Sequence, residues 1–338
     1  MARRRGVTTA LLAGALLLAG CAQQGASTQG QDIHDLYVRI VILATPVFVG
    51  VEAYLLWCVF RYRKRDDRPA PQDAGSGRAL VVFFAVPTVI IALLFPFGEQ
   101  TLSYVQHREK NPGVTINVEA FQWQWTFNYV NEGLVSSGKT LVKPAVMEVP
   151  VNQTVHIHLE SRDVMHEFYV PALLFMRNAL PGHPNDFDFT PIELGTFPGQ
   201  CAEFCGLWHS KMTFVLKVVT PAEYAAWIQS EKQAALNVSC PPGPPTVQLV
   251  AQNTAWDTNC IAVPANTPLS VVMDNKDVGI DHTFAVFDSP KRKVKDYESE
   301  PITGPATATL QIKPLPPGRY YFECTIHGPS MAGTLIVR

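Results

Sequence analysis

Long apolar blocks dominate roughly the first hundred residues and short alternating runs the remainder, which divides the chain into a helical part and a β part. After Arg3 to Arg5, an apolar stretch from Val7 to Ala19 leads into Leu18-Ala19-Gly20-Cys21, the layout of a secretory leader with a lipoprotein cleavage box. On that reading residues 1–20 are a signal peptide and Cys21 is the site of lipidation. Leu36 to Phe60, about 25 residues, and Ala79 to Phe97, about 19, each come close to the roughly 20 needed to cross a bilayer. Arg61, Arg63, Lys64, Arg65, Arg68 and Arg78 lie between or beside them, so the positive-inside bias assigns that loop to the cytoplasm and everything after about residue 100 to the outer face. Arg39 and Glu52 fall inside the first span, where ionisable groups are costly. Arg39 is expected to reach toward the interface and Glu52 to face another protein.

From Thr115 onward, TINVEAFQWQWTFNYV, TVHIHLE and MTFVLKVV alternate or are rich in β-branched and aromatic residues, as half-buried strands require. PAEYAAWIQSEKQAAL breaks the pattern with helical spacing, and Pro221 suits a first helical position. VSCPPGPP, from Val238 to Pro245, reads as an extended, semi-rigid linker. Strand-like runs then resume in TVQLVAQ, PLSVVMDN, HTFAVF, ATLQI and RYYFECTI. The expectation is two transmembrane helices followed by two all-β sandwiches. The boundaries are a leader over 1–20, an N-terminal segment and helical hairpin over 21–105, a first sandwich over 106–237, the linker over 238–245 and a second sandwich over 246–338. The 27 prolines and 22 glycines suit loop-rich β structure, and a net charge of −2 gives no reason to expect nucleic acid.

Chemistry concentrates in two places. CAEFCGLWHSKM, residues 201–212, places Cys201, Cys205, His209 and Met212 in a C-x-E-x-C-x-x-x-H-x-x-M pattern. Thiols, imidazole and thioether together are soft to borderline donors that select copper or zinc over magnesium or calcium. A structural zinc site and a Cys201–Cys205 disulfide are the alternatives, although structural zinc favours four Cys or His ligands without Met. RYYFECTIHGPSM places Cys324, His327 and Met331 just after an aromatic run, with His282 in DHTFAVF as the fourth member. Two histidines, one cysteine and a distant methionine make the ligand set of a mononuclear blue-copper centre. Four separate core residues are the alternative.

The first pattern resembles the dinuclear copper A loop of cytochrome c oxidase subunit II, and the resemblance extends over roughly residues 33–230. SRDVMHEFYVP supplies His166 at the family's first histidine and Asp163 at its preceding acid; VEAFQWQWTFNY resembles the aromatic segment ahead of the copper core. The resemblance implies a copper A set of His166, Cys201, the Glu203 carbonyl, Cys205, His209 and Met212, with Asp163 orienting the site. It also implies a magnesium ion held by the Glu203 carboxylate at the boundary with the catalytic subunit, and Trp123 as the surface aromatic through which electrons arrive. The last ninety or so residues resemble a cupredoxin holding type 1 copper at His282, Cys324, His327 and Met331. Electrons from cytochrome c or a blue-copper donor are then expected to pass to haem in catalytic subunit I of a proton-translocating oxidase in a bacterial plasma membrane, with other oxidase subunits as partners. The fused cupredoxin is expected to relay electrons. A membrane-tethered copper carrier or assembly protein is the alternative, which seven methionines in 338 residues do not favour. Leu80 stands where the family usually has a glutamate at a proton-uptake entrance, Phe83 where it has a tryptophan, and His183 where an arginine is common.

Of seven cysteines, Cys240 and Cys260 are left once the lipid, the two metal patterns and Cys58 in the first span are set aside. Both lie outside the cytoplasm, where disulfides persist. Their pairing is expected, with two buried thiols as the alternative.

Overall fold

The computed structural model describes residues 24–63, 75–138, 143–236, 240–288 and 295–338. The leader with Cys21, most of the basic loop and the first residues of the linker lie outside them. Helix α1, Thr28–Arg61, and helix α2, Gly77–Gln106, are both long and apolar enough to cross a membrane. Each continues past its apolar block because the polar flanks still favour helix, and Ser27 caps α1 by accepting the Gly30 amide at 3.0 Å. Pro46, Pro87 and Pro96 sit inside the two helices. Beside the first two, Thr45 and Thr88 donate their hydroxyls to the carbonyls of Val41 and Phe84, one turn back, which satisfies each hydroxyl within its own helix. The apolar side chains of both helices point outward, as a lipid-facing hairpin requires and a soluble one forbids. Arg39 does not merely reach for the interface: its guanidinium lies 4.7 Å over the Phe97 ring of α2. Glu52 and Leu80 are exposed on their helices.

The first sandwich packs two five-stranded sheets. One has the order β3-β2-β1-β5-β8, from Leu134–Ser137, Gln124–Tyr129, Val114–Phe121, Val155–Ser161 and Asn185–Phe189. The other has the order β4-β10-β9-β6-β7, from Ala145–Pro150, Thr213–Val219, Gly195–Cys201, His166–Val170 and Phe175–Ala179. Strands β1 with β5 and β4 with β10 run parallel; the other neighbours are antiparallel. Period-two alternation decides which side chains face in. Val155, Ile157 and Leu159 of β5 are fully buried, while His156, His158 and Glu160 face outward. The core is aromatic, with Phe168 stacked on Phe214 at 4.7 Å and Trp125 edge-on to both. Helix α3, Pro221–Leu236, follows β10. A capping box starts it, with Glu223 accepting from the Thr220 amide and hydroxyl and Thr220 Oγ1 accepting the Glu223 amide. Trp227 and Tyr224 of this helix pack on Tyr129.

The second sandwich repeats the plan. Its first sheet has the order β12-β11-β14-β19, from Ala255–Trp256, Thr246–Gln252, Leu269–Asn275 and Ala306–Ile312. Its second has the order β13-β21-β20-β16-β17, from Cys260–Val263, Gly328–Val337, Gly318–Cys324, Ala285–Phe287 and Lys295–Glu298. A small ladder joins β15, Asp281–His282, to β18, Ile302–Thr303. Leu249, Val271, Met273, Phe284, Phe322 and Leu335 fill the space between the sheets. Phe322 also covers Gly333, where any side chain would collide with its ring. The two sandwiches meet where β21 runs beside β2. A cleft of about 860 Å³ lies between them, lined by Leu134, Ser137 and Lys217 on one side and Trp256, Asn259 and Ser330 on the other.

The proline-rich segment, expected as an extended, semi-rigid linker, makes specific contacts. Cys240 is disulfide-bonded to Cys260, with Cα atoms 5.4 Å apart. The Gly243 amide donates to the Ala262 carbonyl, and the Pro245 carbonyl accepts the Ser270 amide. From Cys240 onward this stretch is therefore fastened along the second sandwich. The disulfide closes a loop of 20 residues; its replacement by serines should cost about 2–4 kcal/mol. Scanning calorimetry of the full chain should show a lower melting temperature for the C-terminal sandwich alone, and an unchanged transition would contradict a stabilising role.

Candidate metal centres

Strand pairing assembles the first centre. His166 opens β6, Cys201 closes β9, and the pairing of Phe168 with Cys201 brings the two ends together. The chain then turns through a short 3₁₀ segment, His209–Lys211, and returns so that the Cys201 amide donates to the Met212 carbonyl at 3.0 Å. Four further donors converge on the two thiols. Cys201 Sγ lies 3.8 Å from Cys205 Sγ, 3.8 Å from His166 Nδ1 and 3.1 Å from the Glu203 carbonyl. Cys205 Sγ lies 3.4 Å from His209 Nδ1 and 3.7 Å from Met212 Sδ. Cys201, Cys205, His166 and Met212 are all at most 5 % exposed, so their donor atoms are shielded from water.

The second centre sits at the corresponding end of the other sandwich. Cys324 closes β20, and the pairing of Ala285 with Glu323 brings His282 and Thr283 alongside it. Cys324 Sγ lies 3.3 Å from His327 Nδ1 and 3.8 Å from His282 Nδ1, and it accepts the Thr283 amide at 3.4 Å. Met331 is fully buried against Cys324 and Ala251. His282, Cys324 and His327 are at most 2 % exposed.

In both centres a carboxylate fixes the histidine. Asp163 Oδ1 accepts His166 Nε2–H at 2.8 Å, and Asp277 Oδ2 accepts His282 Nε2–H at 2.9 Å. Each bond uses the far ring nitrogen, which leaves the Nδ1 lone pair aimed at the thiols. The carboxylates are themselves held, Asp163 by the Gln122 and Val164 amides and Asp277 by the Asn253 and Thr254 amides. Burial alone would raise the pKa of both acids; the hydrogen bonds from the histidines and these amides outweigh it and lower them. Burial likewise opposes charge on His166 and His282, yet their carboxylate and thiol partners raise both.

The thiols fit a soft cation. The hydrogen bond from Cys205, against burial and with help from His166, pulls Cys201 down to about 4, while Cys205 is pushed up by Cys201 and by burial. Burial pushes Cys324 up, but the bonds from both imidazoles hold it well below the usual thiol range. Thiolate, imidazole and thioether donors of this kind suit copper better than a hard ion at either centre.

Trp123 was expected at the surface, but it is only 8 % exposed and its indole N–H donates to the Cys205 carbonyl at 3.1 Å. The β1–β2 turn folds it beneath the copper loop, where Gly206, at φ +111°, leaves room for the ring. Trp125 is fully buried in the core. The Glu203 carboxylate lies close enough to Glu167 to help burial raise that neighbour's pKa. His183 is exposed, away from the thiols. Sequence reasoning missed Asp277, Thr283 and Gln122, whose side-chain amide donates to the Cys205 carbonyl at 2.7 Å. Only Asp277 left a signal, an acid five residues ahead of a ligand histidine where Asp163 stands three ahead.

Replacing Asp277 with Asn should weaken copper binding at the second centre by about 10–100-fold. Competition against a copper chelator measures this, and an unchanged affinity would contradict the orienting role.

Residues 114–219 match the family described as cytochrome c oxidase subunit II, periplasmic domain, and residues 220–337 match the cupredoxin-like domain. A probable cytochrome c oxidase subunit 2 of Streptomyces coelicolor is 32% identical over 226 residues, covering 55% of this chain and 70% of that protein. A probable subunit 2 of Nocardia farcinica is 27% identical over 310 residues, covering 70% of this chain and 83% of that protein. Among solved structures, the periplasmic domain of subunit II of the Bradyrhizobium japonicum cytochrome oxidase is 29% identical, covers 37% of this chain and 96% of that one, and superposes with a TM-score of 0.35. With two apolar helices ahead of a subunit II domain that ends in a loop of soft ligands, and with a relative this similar over more than two thirds of its length, the chain belongs to the cytochrome c oxidase subunit 2 family and carries a cupredoxin-like domain at its C-terminal end.

Proposed function

We propose that this oxidase subunit accepts electrons at the outer face of a bacterial plasma membrane and passes them toward haem in the catalytic subunit of an aerobic respiratory haem-copper oxidase. The donor is cytochrome c or a blue-copper protein. The ligands are His166, Cys201, the Glu203 carbonyl, Cys205, His209 and Met212 for dinuclear copper A, and His282, Cys324, His327 and Met331 for type 1 copper. When bound, copper supplies reversible one-electron chemistry at each site. The observation that carries the reading is the pair of buried soft-donor clusters, each with its first histidine oriented by a carboxylate. Such burial suits a resident ion and works against a carrier or assembly protein, which must hand its cargo over at the surface.

The residues divide the work. Asp163 and Asp277 hold the rings, so the Nδ1 atoms keep their aim whatever charge the site carries. Trp123 touches the copper loop through the Cys205 carbonyl and is the residue through which electrons arrive. Phe204 and Leu207, both more than 70 % exposed beside His209, offer an apolar face to the catalytic subunit. The Glu203 carboxylate contributes to a magnesium site at that boundary, where Glu167 adds a second negative group. Cys21 carries a lipid anchor in addition to the two spans. The cupredoxin domain relays electrons to the subunit II domain of the same chain.

Metal analysis of the full chain should find two coppers at the first centre and one at the second; zinc, or a single copper, would overturn the reading. A Cys324→Ser variant should lose the blue absorption and slow turnover with the natural donor, while electron transfer from the first centre to haem stays unchanged. Equal turnover by variant and wild type at matched copper A content would remove the relay.

A further inference from the structure

The two centres approach each other through a contact that neither ligand set explains. Gly328 follows the ligand His327, is buried, and adopts φ +53°. A Cβ built on it would fall 2.8 Å from Cζ and 2.9 Å from Nη2 of Arg162 in the other sandwich. The tip of the guanidinium therefore lies against Gly328, and a side chain there would push it aside. Arg162 in turn precedes Asp163, the carboxylate that grips His166.

Arg162 is held firmly for this task. Its guanidinium makes a two-pronged bond with Glu119, Nη2 to Oε2 at 2.5 Å and Nε to Oε1 at 3.1 Å. It also lies 5.4 Å over the Phe121 ring, and its own amide donates to the Ala120 carbonyl at 2.9 Å. A planar group fixed by a carboxylate fork and an aromatic face loses little freedom on docking, which lysine could not match. On the other side, the His327 carbonyl accepts the Ser330 hydroxyl at 2.8 Å and shapes the loop into a surface that the guanidinium covers. His327 is 2 % exposed, so its loop is closed over in the folded chain.

We propose that Arg162, clamped by Glu119, is a docking clasp that holds the His327–Gly328 loop of the cupredoxin against the Arg162–Asp163–His166 segment of the subunit II domain. It is a positioning residue, and its surface partner is the other domain of the same chain. The use of the clasp rests on the relay reading: one electron leaves the C-terminal centre, which is oxidised, and reduces the first centre, with no bond or proton exchanged. The path then runs through the His327–Gly328 peptide, across the guanidinium contact, and through the Asp163 bond to His166. Docking of this kind adds to the restraint of the proline-rich segment, in which Cys240 to Pro245 are fastened to the second sandwich.

The test compares the full chain in detergent with Glu119→Gln, Arg162→Met and Gly328→Ala variants. Glu119→Gln is the decisive one, because it loosens the guanidinium from a residue that touches neither ligand set. Hydrogen exchange of metal-free protein should show the amides of Gly328 and residues 330–332 exchanging about tenfold faster or more in each variant, as the loop opens more readily. Copper content and the absorption of both centres should match wild type, and photoreduction of the copper-loaded chain should show slower electron passage between the centres. Unchanged exchange in all three variants would overturn the clasp, as would loss of copper in Glu119→Gln, which would make the contact a support for ligand loops instead. Raised exchange in the variants, with no electron passage between the centres even in wild type, would uphold the clasp and remove the relay.

Discussion

A carboxylate gripping the far nitrogen of a histidine ring is the constraint from which both centres follow. Without it the imidazole could rotate or present either nitrogen, and the thiols would lack a fixed neighbour in a place too dry for water to substitute. With it, Nδ1 faces Cys201 in one sandwich and Cys324 in the other. The bond also selects the nitrogen, because with Nε2–H committed to a carboxylate it is Nδ1 that is left to meet a cation. Removing either acid would leave a buried polar ring without its partner, which is why the effect falls on metal affinity rather than on folding alone.

The β-sandwich makes that bond possible. In the first domain the histidine opens β6 and the cysteine closes β9, its ladder partner; in the second His282 ends β15, just ahead of β16, whose pairing with β20 brings it to Cys324. Aromatic pairs stiffen the floor beneath the ligands: Trp125, Phe168 and Phe214 in the first sandwich, Phe284 and Phe322 in the second. Ligand loops therefore rest on close-packed cores. Little movement is available to them, and a site that holds its shape through a change of charge is what one-electron exchange requires.

Legibility in the sequence followed distance along the chain. Cys201, Cys205, His209 and Met212 share one loop, so their spacing alone disclosed a soft-metal site, and Cys324, His327 and Met331 did the same. His166 and His282 were found because a resemblance or the missing member of a set pointed upstream. Asp277 was not, since an acid near a histidine is common and only the fold shows which nitrogen it meets. The inward faces of the strands were plain from alternation, but alternation is indifferent to direction, so the parallel pairing of β1 with β5 and β11 with β14 was invisible. Trp123 was misplaced at the surface because a tryptophan after a strand gives no hint that a glycine across the loop will make room for it. The contact of Arg162 with Gly328 joins residues too far apart for any local pattern.

On the proposed function, one chain presents two different soft-ligand centres, one that would share an electron between two coppers and one that would hold a single copper. Electron paramagnetic resonance of the oxidised, copper-loaded chain distinguishes them. Two overlapping signals are expected, one with hyperfine structure from two equivalent copper nuclei, lost in Cys201→Ser, and one from a single copper, lost in Cys324→Ser. A single kind of signal, or two that vanish together in either variant, would contradict that reading.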